Sequence, residues 1–191
     1  MPAKIISTSV LYRGFCKLLR VQLRLEDGAE VEREVEDHGA AVAVLPYDPS
    51  RRTALLIRLL RAPVLVAAQI PALLEVPAGL VEGDDPADAA RRELREETGF
   101  QVNDLEYMGW VWSMPGISTE RMHLYLARYS ASDRVGAGGG VESEHENITV
   151  VEMSLTELWI KAQGDEIKDM KTLALVLTLH VRHPELFSTV S

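Results

Sequence analysis

The spacing of apolar residues along the chain predicts several short strands and three helices. A hairpin is predicted over residues 17–35, where Asp27-Gly28 provides the turn. Apolar or alternating runs predict further strands at 40–45, 53–60, 73–76, 105–112, 121–129 and 147–153. Helices are predicted at 86–98, 154–162 and 170–181. This order of elements, with no internal repeat, favours a mixed α and β sandwich of the α+β class.

The helix predicted at 86–98 has clear boundaries. Asp85 is a suitable N-cap, Pro86 suits the first helical position, and Gly99 suits the C-terminal cap. A narrow apolar stripe is expected to face the core and consists of Ala87, Ala90 and Leu94.

Three carboxylates crowd one side of this helix. At about 100° per residue, Glu97 lies about 40° and Glu96 about 60° from Glu93. Acidic groups this close repel each other, and a bound divalent cation would make the arrangement favourable. A solvated face with ion pairs four residues apart, such as Arg92 with Glu96, is the alternative explanation.

The composition is that of a soluble globular protein, with 47% hydrophobic and 26% charged residues among 191. A net charge of −9 argues against nucleic acid as the main partner, since a phosphate backbone attracts basic surfaces. No apolar run is long enough for a membrane span, and the N-terminus has no signal-peptide pattern. Cys16 is the only cysteine and is expected to be a small buried residue. We therefore expect a cytoplasmic protein.

The segment from Pro77 to Phe100 resembles the Nudix box, the motif of hydrolases that cleave nucleoside diphosphates linked to another group. The family pattern is Gly, five residues, Glu, seven residues, and then Arg-Glu-apolar-any-Glu-Glu-any-Gly-apolar. This chain has Gly79, then Asp85, and then a full match over Arg92–Phe100. It departs where Asp85 replaces Glu and where six residues separate Asp85 from Arg92. The departure concerns an accessory position and leaves the later glutamates intact.

Further stretches extend the resemblance to nearly the whole chain and to the nucleotide-sugar branch, which holds the GDP-mannose and ADP-ribose pyrophosphatases. They are residues 33–35, 56–61, 114–120, 138–142 and 166–172. The resemblance implies a Nudix-type α/β/α sandwich with a mixed sheet and an N-terminal hairpin arm. The arm is expected at residues 1–38 and the hydrolase domain at residues 39–191. In such enzymes the arm reaches across a homodimer; packing of the arm on its own domain is the alternative.

Glu93 and Glu97 are the first candidates for metal ligands, because they are one helical turn apart and can reach one site. Mg²⁺, with Mn²⁺ as the alternative, suits them because hard ions prefer oxygen. Glu96 is the next candidate, and the family uses a backbone carbonyl at the position of Ala78. Arg92 is expected to orient the carboxylates through a salt bridge.

A further catalytic carboxylate is implied after the glycine-rich loop at 136–140. Counting forward from the glycines selects Glu144, whereas counting back from the strand at Ile148 selects Glu146. Both stay open as catalytic residues and metal ligands, since a mobile loop would bring such a carboxylate to bound substrate. An exposed acidic loop is the competing interpretation.

Six residues are candidates for binding substrate: Arg58, Arg61, Glu120, Lys171, Arg33 and Glu34. If the strand continues, Arg58 and Arg61 face opposite sides, so that one reaches phosphate or sugar, and Arg61 matches the family position better. Lys171 matches a lysine near the nucleotide, with a surface lysine at the start of a helix as the alternative.

Glu120 would hydrogen-bond a sugar hydroxyl. Arg33 and Glu34 match hairpin positions that touch the partner's substrate, or form an exposed strand pair. Trp110 and Trp112 are expected in the core rather than stacked on a base.

The expected activity is hydrolysis of the pyrophosphate bond of a nucleoside diphosphate sugar, giving a nucleoside monophosphate and a sugar 1-phosphate. GDP-mannose is the first expected substrate and ADP-ribose the second. A catalytically silent nucleotide-sugar sensor on the same fold is the alternative. Such sensors tend to lose the carboxylates that this chain retains at Glu93, Glu96 and Glu97.

Overall fold

The structure, a computed structural model, describes residues 2–83, 85–141 and 147–187. The chain divides into two compact units, one formed by Met1–Ala41 with Trp110–Met122 and the other by Val42–Gly109 with His123–Ser191. Among the described residues, no helix is both long and apolar enough to cross a membrane.

The first unit contains a small antiparallel sheet. Its strands are β1 (Lys4–Arg13), β2 (Lys17–Arg24) and β3 (Glu30–Asp37), in the order β1-β2-β3. Gly28 lies in the turn between β2 and β3 at φ +88°, a left-handed conformation that glycine adopts without strain. The predicted hairpin is therefore confirmed, and β1 extends it to three strands.

In the part of the chain that the structure describes, the larger sheet has seven strands: β4 (Ala40–Asp48), β5 (Thr53–Leu59), β6 (Leu73–Glu75), β7 (Ala78–Leu80), β8 (Leu105–Trp112), β9 (Arg121–Arg128) and β10 (Thr149–Ser154). Five of them follow the order β10-β5-β4-β9-β8, with β6 paired to β5 and β7 paired to β4. β4 and β5 are buried along nearly their whole length, as expected of strands covered on both faces. The short β7 has no counterpart in the sequence prediction.

Within the described residues, four α-helices accompany the sheets: α1 (Ala62–Ala68), α2 (Pro86–Thr98), α3 (Leu155–Gln163) and α4 (Met170–Arg182). α2 has the predicted boundaries. The Asp85 side chain accepts a hydrogen bond from the N–H of Ala87 at 2.8 Å, and Gly99 caps the C-terminus at φ +78°. The two caps fix where α2 begins and ends, and they therefore determine which residues lie on its acidic face.

α2 buries its apolar face against the larger sheet. Ala89, Ala90 and Leu94 pack in one cluster with Val44 of β4 and Leu55 of β5. Burial of a leucine side chain is worth about 1.5–3 kcal/mol. This packing holds the carboxylates on the adjoining side of α2 at a fixed position relative to the sheet.

Two expectations about individual residues are wrong, and one helix was not predicted. Trp110 and Trp112 are 47% and 46% exposed. They lie two positions apart on one face of β8, so their rings contact each other edge to face, with centroids 5.4 Å apart. Cys16 is half-buried rather than buried. α1 was not predicted because all seven of its residues are apolar, so that no polar positions define one apolar face of a helix.

Candidate active site

The centre of the site is the contact between β7 and α2. The N–H of Ala78 donates to Oε2 of Glu97 at 3.0 Å, and Glu97 is buried, with 2% of its surface exposed. Glu93 lies one turn earlier against Gly79, where a Cβ would overlap its carboxylate. Only glycine allows backbone and carboxylate to approach this closely. The structure thus brings Ala78, Glu93 and Glu97 together.

The segment that leads into this contact is fixed from two sides. The N–H of Val76 donates to the hydroxyl of Thr172 at 2.8 Å, and the N–H of Val44 donates to the carbonyl of Pro77 at 2.9 Å. The Thr172 hydroxyl in turn donates to Asp169, the N-cap of α4, at 2.5 Å. Because buried polar groups without a partner are costly, these bonds set the position of the backbone before Ala78.

A chain of alternating charges lies at the end of β6. Arg61 donates to both oxygens of Glu75, from Nε at 2.8 Å and from Nη2 at 3.0 Å. Lys171 donates to Glu75 and to Asp169, the latter at 2.8 Å. Burial would raise the pKa of Glu75, but the hydrogen bond from Arg61 and the charges of Lys171 and Arg61 hold that pKa below its ordinary value. Glu75 is therefore a compensated buried anion.

Arg92 connects two carboxylates of α2 with the end of β7. Its guanidinium lies 2.7 Å from Glu93 and 3.4 Å from Glu96, and it donates to the carbonyl of Leu80 at 3.1 Å. Burial opposes the charge of Arg92, but the two neighbouring carboxylates raise its pKa. The salt bridge predicted for Arg92 is therefore present.

The glycine-rich loop is bonded to the C-terminal end of α2. The N–H of Gly139 donates to the carbonyl of Glu97 at 2.9 Å, and that of Gly140 donates to the carbonyl of Glu96 at 3.1 Å. A Cβ at Gly138 would overlap the backbone of the last helical residues. The loop therefore satisfies carbonyls that have no partner within the helix, and it needs glycine to do so.

Several candidates lie apart from these contacts. Arg58 is exposed on β5, whereas Arg61 follows the end of that strand and turns to Glu75. Three others belong to the first unit: Arg33, Glu34 and Glu120. Two lie outside the described residues: Glu144 and Glu146.

The oxygen donors around Gly79 fit a hard divalent cation. The carboxylates of Glu93 and Glu97 and the backbone of Ala78 offer the donor type that Mg²⁺ prefers. Within the described residues, no group of three or more His, Cys, Asp or Glu side chains stands ready to hold a metal ion. Arg92 contacts Glu93 and the N–H of Ala78 contacts Glu97, so these contacts set the positions of the two carboxylates.

Sequence reasoning missed three residues of this region: Glu75, Asp169 and Thr172. A signal for Glu75 existed, because a charged residue inside a buried apolar strand requires a compensating partner. Asp169 carried a signal too, as an N-cap residue before a predicted helix. The contact between Val76 and Thr172 had no local signal, since it joins residues 96 positions apart.

The α+β fold and the acidic helix held against a glycine-containing loop agree with the Nudix resemblance of the sequence. Residues 37–175 match the model of the NUDIX domain family. The chain belongs to the Nudix hydrolase family. Hydrolases of this family generally use divalent metal cations.

Related proteins agree with this placement. The chain is 38% identical over 150 residues to the GDP-mannose pyrophosphatase of Citrobacter koseri, and the aligned residues make up 78% of each chain. It is 35% identical over 184 residues to the GDP-mannose pyrophosphatase of Cronobacter sakazakii, covering 94% of this chain and 95% of that one. A crystal structure of an ADP compounds hydrolase matches with a TM-score of 0.78 over 97% of this chain and 96% of that one. At 19% identity this likeness concerns the fold, and it confirms the predicted Nudix architecture.

Proposed function

We propose that this chain is a Mg²⁺-dependent hydrolase of nucleoside diphosphate sugars, with GDP-mannose as its first substrate and ADP-ribose as its second. Water would attack one phosphorus and break the P–O–P bridge, giving a nucleoside monophosphate and a sugar 1-phosphate. The observation that carries this proposal is the contact of the buried Glu97 carboxylate with the Ala78 backbone. Relatives named GDP-mannose pyrophosphatase, at 38% and 35% identity, support the choice of first substrate.

The acidic residues would hold the ion. Glu93 and Glu97 are the principal ligands, with Glu96 and the Ala78 carbonyl as further ligands and Mn²⁺ as the alternative ion. When bound, such an ion neutralises charge on the diphosphate and makes water more acidic. The chain's own contribution is preorganisation, because the Ala78 N–H fixes Glu97 and Arg92 fixes Glu93.

Arg61 and Lys171 would supply positive charge for the phosphates. Burial lowers the pKa of Arg61, but the hydrogen bond to Glu75 and the charges of Glu75, Glu97 and Asp169 raise it. The positive charge of Arg61 is therefore stabilised by Glu97 of α2 as well as by its hydrogen-bond partner Glu75. This supports one site that combines the acidic face of α2 with the cluster at the end of β6.

A substrate panel tests the proposal. Purified protein is mixed with GDP-mannose, ADP-ribose or several UDP-sugars, with Mg²⁺ or with a chelator, and nucleoside monophosphate release is measured. We expect GDP-mannose to be turned over fastest, and no turnover under the chelator. Binding of GDP-mannose without turnover of any nucleotide sugar would overturn the proposal in favour of a silent sensor.

A single substitution tests the ligand assignment. Glu97→Gln should lower kcat about 100-fold or more while GDP-mannose binding is retained, because it removes a charge from the ion site. Glu157→Gln, at an exposed glutamate of α3, is the matched control and should leave kcat unchanged. Undiminished turnover in Glu97→Gln would contradict the assignment.

We also propose that residues 1–38 form an arm exchanged within a homodimer. β1 supports this, because all ten of its residues are exposed, including Ile5 at 69% and Tyr12 at 61%. Exposed apolar strands are commonly covered by another chain. Sedimentation should give the mass of two chains, and Ile5→Lys with Tyr12→Lys should shift it toward one. The control Val181→Lys, at a valine of α4 that is 79% exposed, should not, and a monomeric native chain would contradict the proposal.

A further inference from the structure

The contact between Arg61 and Glu75 fixes the orientation of a guanidinium group. Two parallel hydrogen bonds, at 2.8 Å and 3.0 Å, hold the Arg61 fork against both oxygens of the carboxylate. A bidentate contact of this kind sets the plane of the guanidinium as well as its distance. Only part of the donor capacity of a guanidinium is used by such a fork. The remaining N–H groups of Arg61 are therefore directed away from Glu75.

Glu75 is itself immobilised. It lies at the end of β6 in register with Ile57 of β5, and only 1% of its side chain is exposed. Lys171 donates to it from the side of α4. The carboxylate is thus fixed by a strand, by burial and by a second cation, and it serves as a rigid support for whatever it binds.

Arg61 and Lys171 differ in how much of each remains available for a ligand. Lys171 has two acidic partners, Glu75 and Asp169, and its side chain is 13% exposed. Among the described residues, the Arg61 side chain hydrogen-bonds one carboxylate, that of Glu75, and it is 40% exposed. Arg61 is therefore the cation of this cluster that presents free donors to solvent, while Lys171 mainly holds Glu75.

We propose that Glu75 is a positioning residue that presents Arg61 to the phosphate groups of the substrate. This inference rests on the proposed function, since it takes a nucleoside diphosphate as the ligand. An arginine without this support would lose rotamer freedom when it binds phosphate. The preformed fork removes that cost before the ligand arrives.

The test is a double-mutant cycle read out by binding. GDP affinity is measured calorimetrically with Mg²⁺ present for the native chain, Glu75→Gln, Arg61→Ala and the double variant. We expect each single substitution to weaken GDP binding about tenfold, and the double variant to bind no more weakly than Arg61→Ala alone. For GDP-mannose, Glu75→Gln should raise KM about tenfold and change kcat less than about threefold.

Glu152→Gln provides the matched control. Glu152 of β10 is likewise paired with an arginine, Arg51, at 2.6 Å, but it belongs to a separate cluster. The Glu152→Gln substitution should leave GDP affinity unchanged. Native GDP affinity in Glu75→Gln, or losses that multiply in the double variant, would overturn the inference.

Two further choices keep the test decisive. If Glu75→Gln does not fold, Glu75→Asp enters the same cycle, because it keeps the charge but shortens the side chain and disrupts the two-point contact with Arg61. GDP affinity judges the positioning role of Glu75 even if no nucleotide sugar is hydrolysed. Turnover of the substrate panel judges the proposed function separately.

Discussion

The N–H of Val76 donates to the hydroxyl of Thr172 at 2.8 Å, and both residues are completely buried. The bond joins the end of β6 to the first turn of α4, which follows 96 positions later in the chain. Two residues after Val76, the N–H of Ala78 contacts Glu97. A threonine far along the chain therefore helps to set the loop backbone against the acidic helix.

Thr172→Val should destabilise the protein by about 1–3 kcal/mol, because valine has nearly the same shape as threonine but cannot accept the hydrogen bond from the buried Val76 N–H. Urea unfolding measures this loss, and kcat/KM for GDP-mannose should fall with it. Thr172→Ser keeps the hydroxyl and should retain most of both. Thr178→Val is the control on the same helix, since that hydroxyl donates to the Ala174 carbonyl at 2.8 Å. Equal losses at both threonines would contradict the argument.

Gly79→Ala should lower kcat without unfolding the protein. The new Cβ would overlap the Glu93 carboxylate, which must then rotate away from the loop and from Arg92. We expect a loss of about tenfold to 100-fold, the range seen when a group that orients metal ligands is removed. Steady-state kinetics across a Mg²⁺ series would show it as lower kcat and a higher Mg²⁺ requirement.

Gly136→Ala is the matched control for Gly79→Ala. A Cβ at Gly136 would meet only the Cα of Gly99, at an ordinary contact distance of 3.9 Å. Its kinetics should stay close to those of the native chain. If Gly79→Ala also kept native kinetics and native Mg²⁺ dependence, the close approach of this backbone to Glu93 would have no catalytic role.

Local chemistry made the central helix readable from sequence alone. The N-cap Asp85, the proline that follows it and the C-terminal Gly99 define α2 within its own segment, and the structure places them as predicted. The predicted spacing of Glu93 and Glu97 also follows from helix geometry, which needs no knowledge of distant residues.

Non-local contacts account for what could not be predicted. The pairing of Glu75 with Lys171 depends on how β6 meets α4, and no local pattern encodes that meeting. Trp110 and Trp112 were predicted in the core because their side chains are apolar, yet both are about half exposed on β8. Their exposure, too, is not encoded in the local sequence pattern. Family resemblance selected Arg61 and Lys171 as candidates for binding substrate, but it did not reveal that Glu75 lies between them.

Glu75 should make stability depend on pH in the acidic range. Its pKa is held below the ordinary glutamate value of about 4.3. The ionised carboxylate therefore stabilises the fold fully above about pH 5, and this stabilisation is lost as pH falls through the lowered pKa. At about pH 7, the free energy of unfolding of Glu75→Gln should be about 2 kcal/mol lower than that of the native chain. This loss is smaller than for a fully buried ion pair, because Arg61 is partly exposed.

Thermal unfolding between about pH 7 and pH 3 checks this. The Tm difference between the native chain and Glu75→Gln should stay constant above about pH 5 and shrink below it. Glu157→Gln, at an exposed glutamate, should show no such convergence. A gap that widens toward acid would mean that Glu75 is protonated in the folded chain, which would contradict a lowered pKa for this carboxyl group.

The two acidic candidates after the glycine-rich loop can be separated by paired substitutions. Gly139 and Gly140, which precede both candidates in the sequence, donate to the carbonyls of Glu97 and Glu96 at the end of the acidic helix. We expect one of Glu144→Gln and Glu146→Gln to lower kcat about 100-fold or more, as for loss of a general base, and the other to stay close to native. Single-turnover hydrolysis of GDP-mannose with Mg²⁺ measures both.

The pH profile adds an independent reading of the same pair. The substitution that removes the base should also abolish the acidic limb of the kcat profile, because that limb reports protonation of the base in the enzyme–substrate complex. Loss of the limb in one variant, together with the fall in kcat, assigns the role to that residue. Native kcat and native profiles in both variants would exclude both glutamates and leave the base to be sought among the residues of α2.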